Sequence, residues 1–388
     1  MGDEVQVSFD RRRAAVAIGG FCAFLDLYAP QAVLPQLAEG FKVSPAAAGA
    51  TIGITTLAVA MSAPFAGMLS DRLGRKVTIV AAALALTVPS LALTLAAGLD
   101  QILVWRFLQG LLIPAIFSPL LAFVAEEWPA GEAADVMGLY VAGSALGGFC
   151  GRFVTALFSD RFGWRSGFAA LTVATLLGAA LLWAWLPTRR RPAKATRALS
   201  GLAEHLGNPL LLATFAIGFA LLFTVTATFT YVNFHLAQEP FNLSTAQLGM
   251  VFLVYPLGAF AATGSGWLVR RLGRRLAGAL SFLVACAGIA LTLVVSLPFI
   301  ASGLAVYVIG LFLAQSAAVG FVGQTARSAK GAAVGLYVCC YYIGGSAGAV
   351  LPGLTVWPAA GWPGCVALML AVLLAATGMV WWAWRDHK

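Results

Sequence analysis

Polar residues are sparse in this chain and fall in short clusters. Between the clusters run twelve mostly apolar stretches, 14–37, 46–69, 77–98, 101–125, 134–158, 164–186, 209–234, 245–268, 276–297, 299–322, 332–355 and 363–384. A helix that crosses a bilayer needs about 20 mostly apolar residues, so the pattern predicts twelve transmembrane helices. The longest gap, 187–208, opens with Pro187-Thr188-Arg189-Arg190-Arg191-Pro192 and ends at Asn208. Its composition is that of a linker. The expected organisation is an N-terminal arm (1–13), a six-helix bundle (14–186), the linker, a second six-helix bundle (209–384) and a short tail (385–388).

The two bundles repeat one another. Gly67-Met68-Leu69-Ser70-Asp71-Arg72-Leu73-Gly74-Arg75-Lys76 returns in altered form 199 residues later, as Gly266 to Arg275. Gly138-Leu139-Tyr140-Val141, followed by Gly147, Gly148 and Gly151, returns 197 residues later as Gly335-Leu336-Tyr337-Val338, followed by Gly344, Gly345 and Gly348. Two independent matches at nearly one offset indicate an internal duplication. The predicted fold is an all-α membrane protein of two pseudo-symmetric six-helix bundles, an architecture that belongs mainly to transporters.

Composition agrees. Hydrophobic residues are 61% of the chain and charged residues 10%, against about 45–50% and about 25% in soluble domains. Lys and Arg number 24 against 15 Asp and Glu. Such a balance can signal nucleic acid, but here the basic residues sit in short loops, the pattern that orients membrane proteins. With the N-terminus inside, 19 of the 24 face the cytoplasm, including Arg11 to Arg13, Arg72, Arg75, Lys76, five in the linker, Arg270, Arg271, Arg274, Arg275, Arg327, Lys330, Arg385 and Lys388. Lys42, Arg161 and Arg165 face outside, and Arg106 and Arg152 lie within spans. The expected location is a bacterial inner membrane, multi-pass, with both termini cytoplasmic and no cleavable leader. The six cysteines all lie in apolar stretches and read as buried thiols. Gly143, Gly147 and Gly151, and likewise Gly344 and Gly348, are four apart on one helix face. Such faces let helices approach closely, either as fixed packing or as a seam that opens and closes.

These residues resemble the major facilitator superfamily. The loop after span two matches its G-x-L-x-D-R-x-G-R-K signature through Gly67, Asp71, Arg72, Gly74, Arg75 and Lys76. The resemblance covers essentially the whole chain. It implies a twelve-helix carrier with an alternating-access cavity between the halves, in which Asp71 caps span eleven and latches an inner gate. Arg270 stands at the matching place of the second copy, so that latch is weaker or absent. Leu25-Asp26 with Leu34-Pro35, Arg106-Phe107-Leu108-Gln109-Gly110, and Gly143 to Gly148 resemble motifs of the drug:proton antiporter branch, although Ser144 stands where the last motif has proline. The run from Gly138 to Arg152, with Phe162-Gly163-Trp164-Arg165, is similar to the YnfM-like group of bacterial transporters.

Asp26 is the one acidic residue placed within the hydrocarbon. A charge at a helix centre costs at least about 2.5–3.5 kcal/mol on insertion scales, and a carboxylate withdrawn from water and left unpaired takes up a proton. Asp26 lies about 18 Å from the inner end of span one, and Arg106 about 22 Å from the inner face of span four. The two form a candidate proton-coupling pair: protonation of Asp26 releases Arg106, and cationic or polar cargo competes for the carboxylate. A static ion pair between the spans is the alternative. Arg152, near the outer surface, is expected to snorkel to the headgroups, with a place in the cavity as the alternative. Glu126, Glu127, Glu132 and Asp135, in the loop after span four, either pair with Arg72, Arg75 or Lys76 when the inside is closed or are solvated loop charge.

Polar and aromatic tips on the cavity-type spans mark a candidate cargo surface: Tyr28, Gln31, Gln109, Asn233, Tyr255, Gln315, Tyr337 and Tyr341. Each is also a candidate packing contact. Such walls suit a small amphipathic solute. His205 and His235 have no metal partner in sequence, and no nucleophile elbow, P-loop or haem motif appears. The expectation is a transporter, not an enzyme, acting as a monomer with a small-molecule substrate, protons and the lipid bilayer as partners, with no nucleic acid, metal or cofactor, and driven by the H⁺ gradient. Efflux by proton antiport leads; uptake by symport or facilitated diffusion is the alternative, and a non-transporting receptor or membrane enzyme a distant third.

Overall fold

A computed structural model describes residues 2–188, 202–326 and 329–385. The linker residues 189–201, Arg327 and Lys388 lie outside the described residues. Among the described residues there is no strand, and there are eleven long apolar helices and one bent helix pair, twelve spans if the pair is taken as one. They are α1 (Arg11–Leu25 and Ala29–Phe41), α2 (Pro45–Leu73), α3 (Arg75–Thr94), α4 (Leu99–Glu127), α5 (Ala130–Phe162) and α6 (Trp164–Trp185), then α7 (Pro209–Ala237), α8 (Thr245–Thr263), α9 (Arg274–Leu291), α10 (Leu297–Thr325), α11 (Lys330–Thr355) and α12 (Trp357–Ala383). The helix of α1 begins at Gly2, so residues 2–13 of the expected arm continue the first span. A short helix, Leu202–Leu206, precedes α7.

The predicted continuous first span is broken. Its two segments meet at 42° across Asp26-Leu27-Tyr28. Pro30 and Pro35, which have no N–H to give, open the 3-10 turn Ala29–Val33 and the helix Leu34–Phe41 beyond the bend. The carbonyls left by the break need donors, because the hydrocarbon supplies none.

The duplication is visible in the backbone. Gly74 and Gly273, between α2 and α3 and between α8 and α9, have φ of 93° and 76°. Gly163 and Gly361, at the turn into α6 and near the start of α12, have φ of 81° and 55°. Glycine adopts this region at little cost, so both turns have kept it in both copies.

The small-residue faces of α5 and α11 hold each half together. A Cβ at Gly143, Gly147 or Gly151 would strike the α1 carbonyls of Ala17, Phe21 and Leu25, and one at Gly344 or Gly348 those of Phe219 and Phe223 in α7. These faces are fixed packing within a half.

The seam between the halves runs along α2–α11, α5–α8 and α1–α7. It is shut at the membrane end away from the chain termini. There a Cβ on Gly49 would strike the Ala349 carbonyl, one on Gly53 would lie 3.1 Å from Ser346 O, and one on Gly353 2.9 Å from Ala46 Cα. Asn233 Nδ2 donates to Gln31 O at 3.0 Å, and the Ala246 amide donates to Asp160 Oδ1 at 3.2 Å. At the end that carries the termini the helices diverge. A Cβ on Gly67, Gly138, Gly331 or Gly335 would meet nothing within 4 Å. Bulky apolar residues such as Leu95 and Phe260 stay 78% and 80% exposed, surface that suits lipid and not water.

A leucine at Gly49 cannot share its place with the Ala349 carbonyl. Gly49→Leu should therefore part α2 from α11 at the shut end. In proteoliposomes, a cysteine placed at Ala46 should react with a membrane-impermeant maleimide several-fold faster in this background. Equal labelling with and without the leucine would contradict the seal.

Candidate functional site

Two buried polar clusters lie among the spans, one inside the first half and one between the halves. The first surrounds the break in α1. Asp26 is 1% exposed. Its Oδ1 lies 3.1 Å from Ser90 Oγ of α3 and accepts from Gln109 Nε2 of α4 at 3.4 Å, and its Oδ2 accepts from Thr175 Oγ1 of α6 at 2.8 Å. Every one of these partners is neutral.

Arg106, fully buried on α4, is in the same cluster but does not hold the carboxylate. It donates to Asp26 O at 2.7 Å, Leu27 O at 2.5 Å and Thr51 O at 3.1 Å, and to Gln109 Oε1 at 2.6 Å. The expected side-chain ion pair is replaced by a guanidinium on backbone carbonyls. The reason is the break: α1 ends there with free carbonyls and the negative end of its dipole, and a cation with five donors satisfies both. Gln109, expected in the cavity, instead joins Arg106 to Asp26.

The second cluster lines a cavity of about 270 Å³ between the halves. Of the residues named as candidate cargo contacts, Tyr28, Tyr255, Gln315 and Tyr341 line it. Gln31 and Asn233 lie behind it at the shut end, bonded to each other's spans. Tyr337 is buried beside it, stacked on Tyr341 at 6.1 Å. Phe24, Tyr140, Ser144, Phe312 and Tyr342 complete much of the wall. A larger space of about 580 Å³, lined among others by Gly138, Pro256 and Thr263, shares Val141, Ala145 and Ala259 with the cavity and leads toward the terminal end.

Arg152 corrects the reading from sequence. It does not reach a headgroup: it is 2% exposed and lines the cavity. Its Nε donates to Gln31 Oε1 at 2.8 Å and one terminal nitrogen to Gly148 O at 2.7 Å. Its guanidinium carbon lies 4.7 Å from the Tyr28 ring centre, 4.9 Å from Phe252 and 4.7 Å from Tyr255. A signal was present in the spacing. Tyr140, Ser144, Gly148 and Arg152 are each four apart, one stripe of α5, and all four line the cavity.

The signature loop lies at the terminal end. Arg75 binds Asp71 Oδ1 at 2.7 Å, Glu126 Oε1 at 2.7 Å and Ser70 Oγ at 2.8 Å. Gly74 makes the turn, and Arg72 is exposed. No hydrogen bond or ion pair joins Asp71, Arg72 or Lys76 to α11 among the described residues. The acidic loop is largely paired within the first half, Glu127 with Arg12, and Glu132 with Arg13 at 3.3 Å. Glu126 holds Arg75 although this end is open, so that pair does not await closure. In the second half Arg274 occupies the place of Arg75 and donates to Gln324, a neutral acceptor where the first half has Glu126. Among the described residues no three His, Cys, Asp or Glu side chains cluster as metal ligands.

Two bundles of apolar spans around a central cavity with buried polar groups define a membrane transporter. Residues 16–349 match the family model of the Major Facilitator Superfamily, and the chain belongs to that family. It is 33% identical to the inner membrane transport protein YnfM of Escherichia coli, over 94% of this chain and 89% of that protein. It is 31% identical to the uncharacterised MFS-type transporter YybF of Bacillus subtilis, over 95% of this chain and 92% of that protein. Its fold matches a bacterial homologue of the human lysosomal transporter Spinster, solved inward-facing and unoccupied, with a TM-score of 0.81 at 16% identity over 97% of both chains. The protein is thus a multi-pass transporter and not an enzyme.

Arg106→Leu should destabilise the first half, since it orphans the carbonyls of Asp26 and Leu27. At about 1–3 kcal/mol for each buried unsatisfied group, the loss should be about 2–6 kcal/mol in denaturant unfolding. A variant as stable as the wild type would contradict the role assigned to the guanidinium.

Proposed function

We propose that this transporter is a proton-coupled exporter, which exchanges H⁺ for a small organic solute by alternating access. It acts as a monomer in a bacterial inner membrane with both termini in the cytoplasm. The orientation rests on the sequence, in which 19 of the 24 basic residues fall in segments on the same side of the predicted spans as the N-terminus. On that reading the cavity opens inward, and Asp71, now held by Arg75, becomes the latch to α11 when the inner end closes.

The observation that carries proton coupling is the carboxyl of Asp26, sealed from water among neutral donors. With no cation on it, the group can gain or lose a proton without breaking an ion pair. Ser90 suits both states. Its hydroxyl lies within reach of Asp26 Oδ1 and, at 2.9 Å, of Leu86 O. A hydroxyl has one proton to give. Ser90 gives it to the carboxylate, or accepts from the neutral acid and gives it to Leu86. The change passes to Gln109, which contacts Asp26, Ser90 and Arg106 together. Arg106 in turn holds the α1 break, beyond which Tyr28 and Gln31 reach Arg152 and the cavity. The cavity is not lined by Asp26, so proton and cargo act on each other through the bend of α1 and not by rivalry for one carboxylate.

The resemblance of Arg106 to Gly110 and Gly143 to Gly148 to the antiporter branch favours export. Uptake by symport is the second reading. It is favoured by Ser144, which replaces the motif proline and leaves α5 unbroken from Ala130 to Phe162.

Proteoliposomes with an imposed pH gradient and an internal pH dye test this. Adding a transported solute should drive H⁺ against the solute's direction, and Asp26→Asn should abolish the H⁺ signal while solute binding persists. Movement of H⁺ and solute together would establish the uptake reading. Full coupling in Asp26→Asn would remove Asp26 from the mechanism.

A further inference from the structure

We infer that the solute is an amphipathic carboxylate whose anionic group binds Arg152. The inference rests on the transport reading above and adds the class of cargo.

The charge around the cavity is one-sided. Among the described residues Arg152 is the only Arg, Lys, Asp, Glu or His in its lining; the other polar side chains there are tyrosines, Ser144 and Gln315. No carboxylate lies within 4 Å of its nitrogens among the described residues, and Asp26 is enclosed by Ser90, Gln109 and Thr175 on the other side of α1. A guanidinium offers five N–H donors. Arg152 spends one on Gln31 and one on Gly148, and its other terminal nitrogen makes no hydrogen bond among the described residues. Stacked rings offset part of the charge, but a buried cation stays unfavourable until an anion completes it. A carboxylate accepts two parallel bonds from the guanidinium fork and neutralises it. An ammonium or amidinium in the same place would be repelled, with no acid to receive it.

The walls define the rest of the molecule. Tyr28 lies against Arg152, and Phe24, Phe312 and Tyr341 line the same cavity, which suits an apolar body. A volume of about 270 Å³ takes one or two rings. The adjoining apolar space, reached past Val141, Ala145 and Ala259, has room for a chain. The position also explains how cargo acts on the gate. Arg152 holds Gln31, whose carbonyl is tied to Asn233 at the shut end. An anion that draws the guanidinium away loosens that tie.

The duplicated sequence points the same way. The residue 197 positions after Arg152 is Ala349, whose carbonyl faces Gly49 in the closed seam. The cation therefore belongs to one copy only, where packing does not call for it.

Binding of benzoate, 1-naphthoate and octanoate to the purified full-length protein, measured by calorimetry beside benzamide, 1-naphthamide, octanamide and benzylamine, tests the inference. At least one acid should bind about tenfold or more tighter than its own amide, the scale of a charge-assisted pair. Arg152→Gln should erase that preference, weakening the acid about tenfold or more and leaving the amide unchanged. The acid–amide comparison in the wild type stands alone if the variant does not fold. Amides or benzylamine binding as tightly as every acid, or an acid unaffected by Arg152→Gln, would overturn the inference. Proton-coupled movement of an amine in the same vesicles would then leave the transport reading intact. Acid binding without proton movement would sink the coupling and spare the assignment of cargo.

Discussion

The hydrogen bonds from Arg106 to the carbonyls of Asp26 and Leu27 are the constraint on which the centre of this protein depends. A helix cannot stop in the middle of a bilayer unless something other than water receives its carbonyls. One guanidinium does so here. It also reaches Thr51 of α2, so three spans meet on one side chain. Because Arg106 is occupied with backbone, the carboxyl of Asp26 is left to neutral partners. A direct ion pair would have tied the acid down; the break in α1 frees it.

The rest of the architecture sets this arrangement within the first of two bundles that meet along one seam. Glycine faces lock α5 to α1 and α11 to α7 within their halves, at distances that exclude any side chain. The seam between the halves is closed by backbone contact at one end and open at the other, and the proposed mechanism puts movement there. The second segment of α1 lies on that seam, since Gln31 touches both Arg152 and Asn233. On the proposed mechanism, a change of protonation at Asp26 would reach that seam through few intermediates. Duplication supplied the scaffold and later divergence the chemistry: the turns at Gly74 and Gly273 still match, while Asp26 is answered by Thr224 in the second half, 198 positions on, and Arg152 by Ala349.

Much of the fold was legible because lipid imposes a simple code. Apolar length gave the spans, and the repeated motifs gave the duplication. Boundaries shifted where proline or glycine interrupts a span, as at α1 and at Gly361 of α12. The site was legible in part. Asp26, Arg106 and Gln109 do meet, but depth along separate helices cannot tell a carboxylate from a carbonyl as the partner. Depth alone also misplaced Arg152, because distance from a helix end says nothing about which face a residue occupies. The four-residue spacing from Tyr140 to Arg152 held that information. Asn233 and Tyr337 read as cavity tips because polar residues in a span look alike in sequence, whether they face a solute, another helix or a neighbouring ring.

The account is tested most directly by infrared difference spectroscopy of the purified protein between alkaline and acidic pH, with Asp26→Asn as the comparison. It predicts a protonated-carboxyl C=O band that appears on acidification, that exchanges slowly with deuterated water because the group is enclosed, and that is missing from the variant. If the wild-type and variant difference spectra coincide in the carboxyl region, Asp26 does not exchange a proton, and the link from this acid through Arg106 to the bend in α1 is wrong.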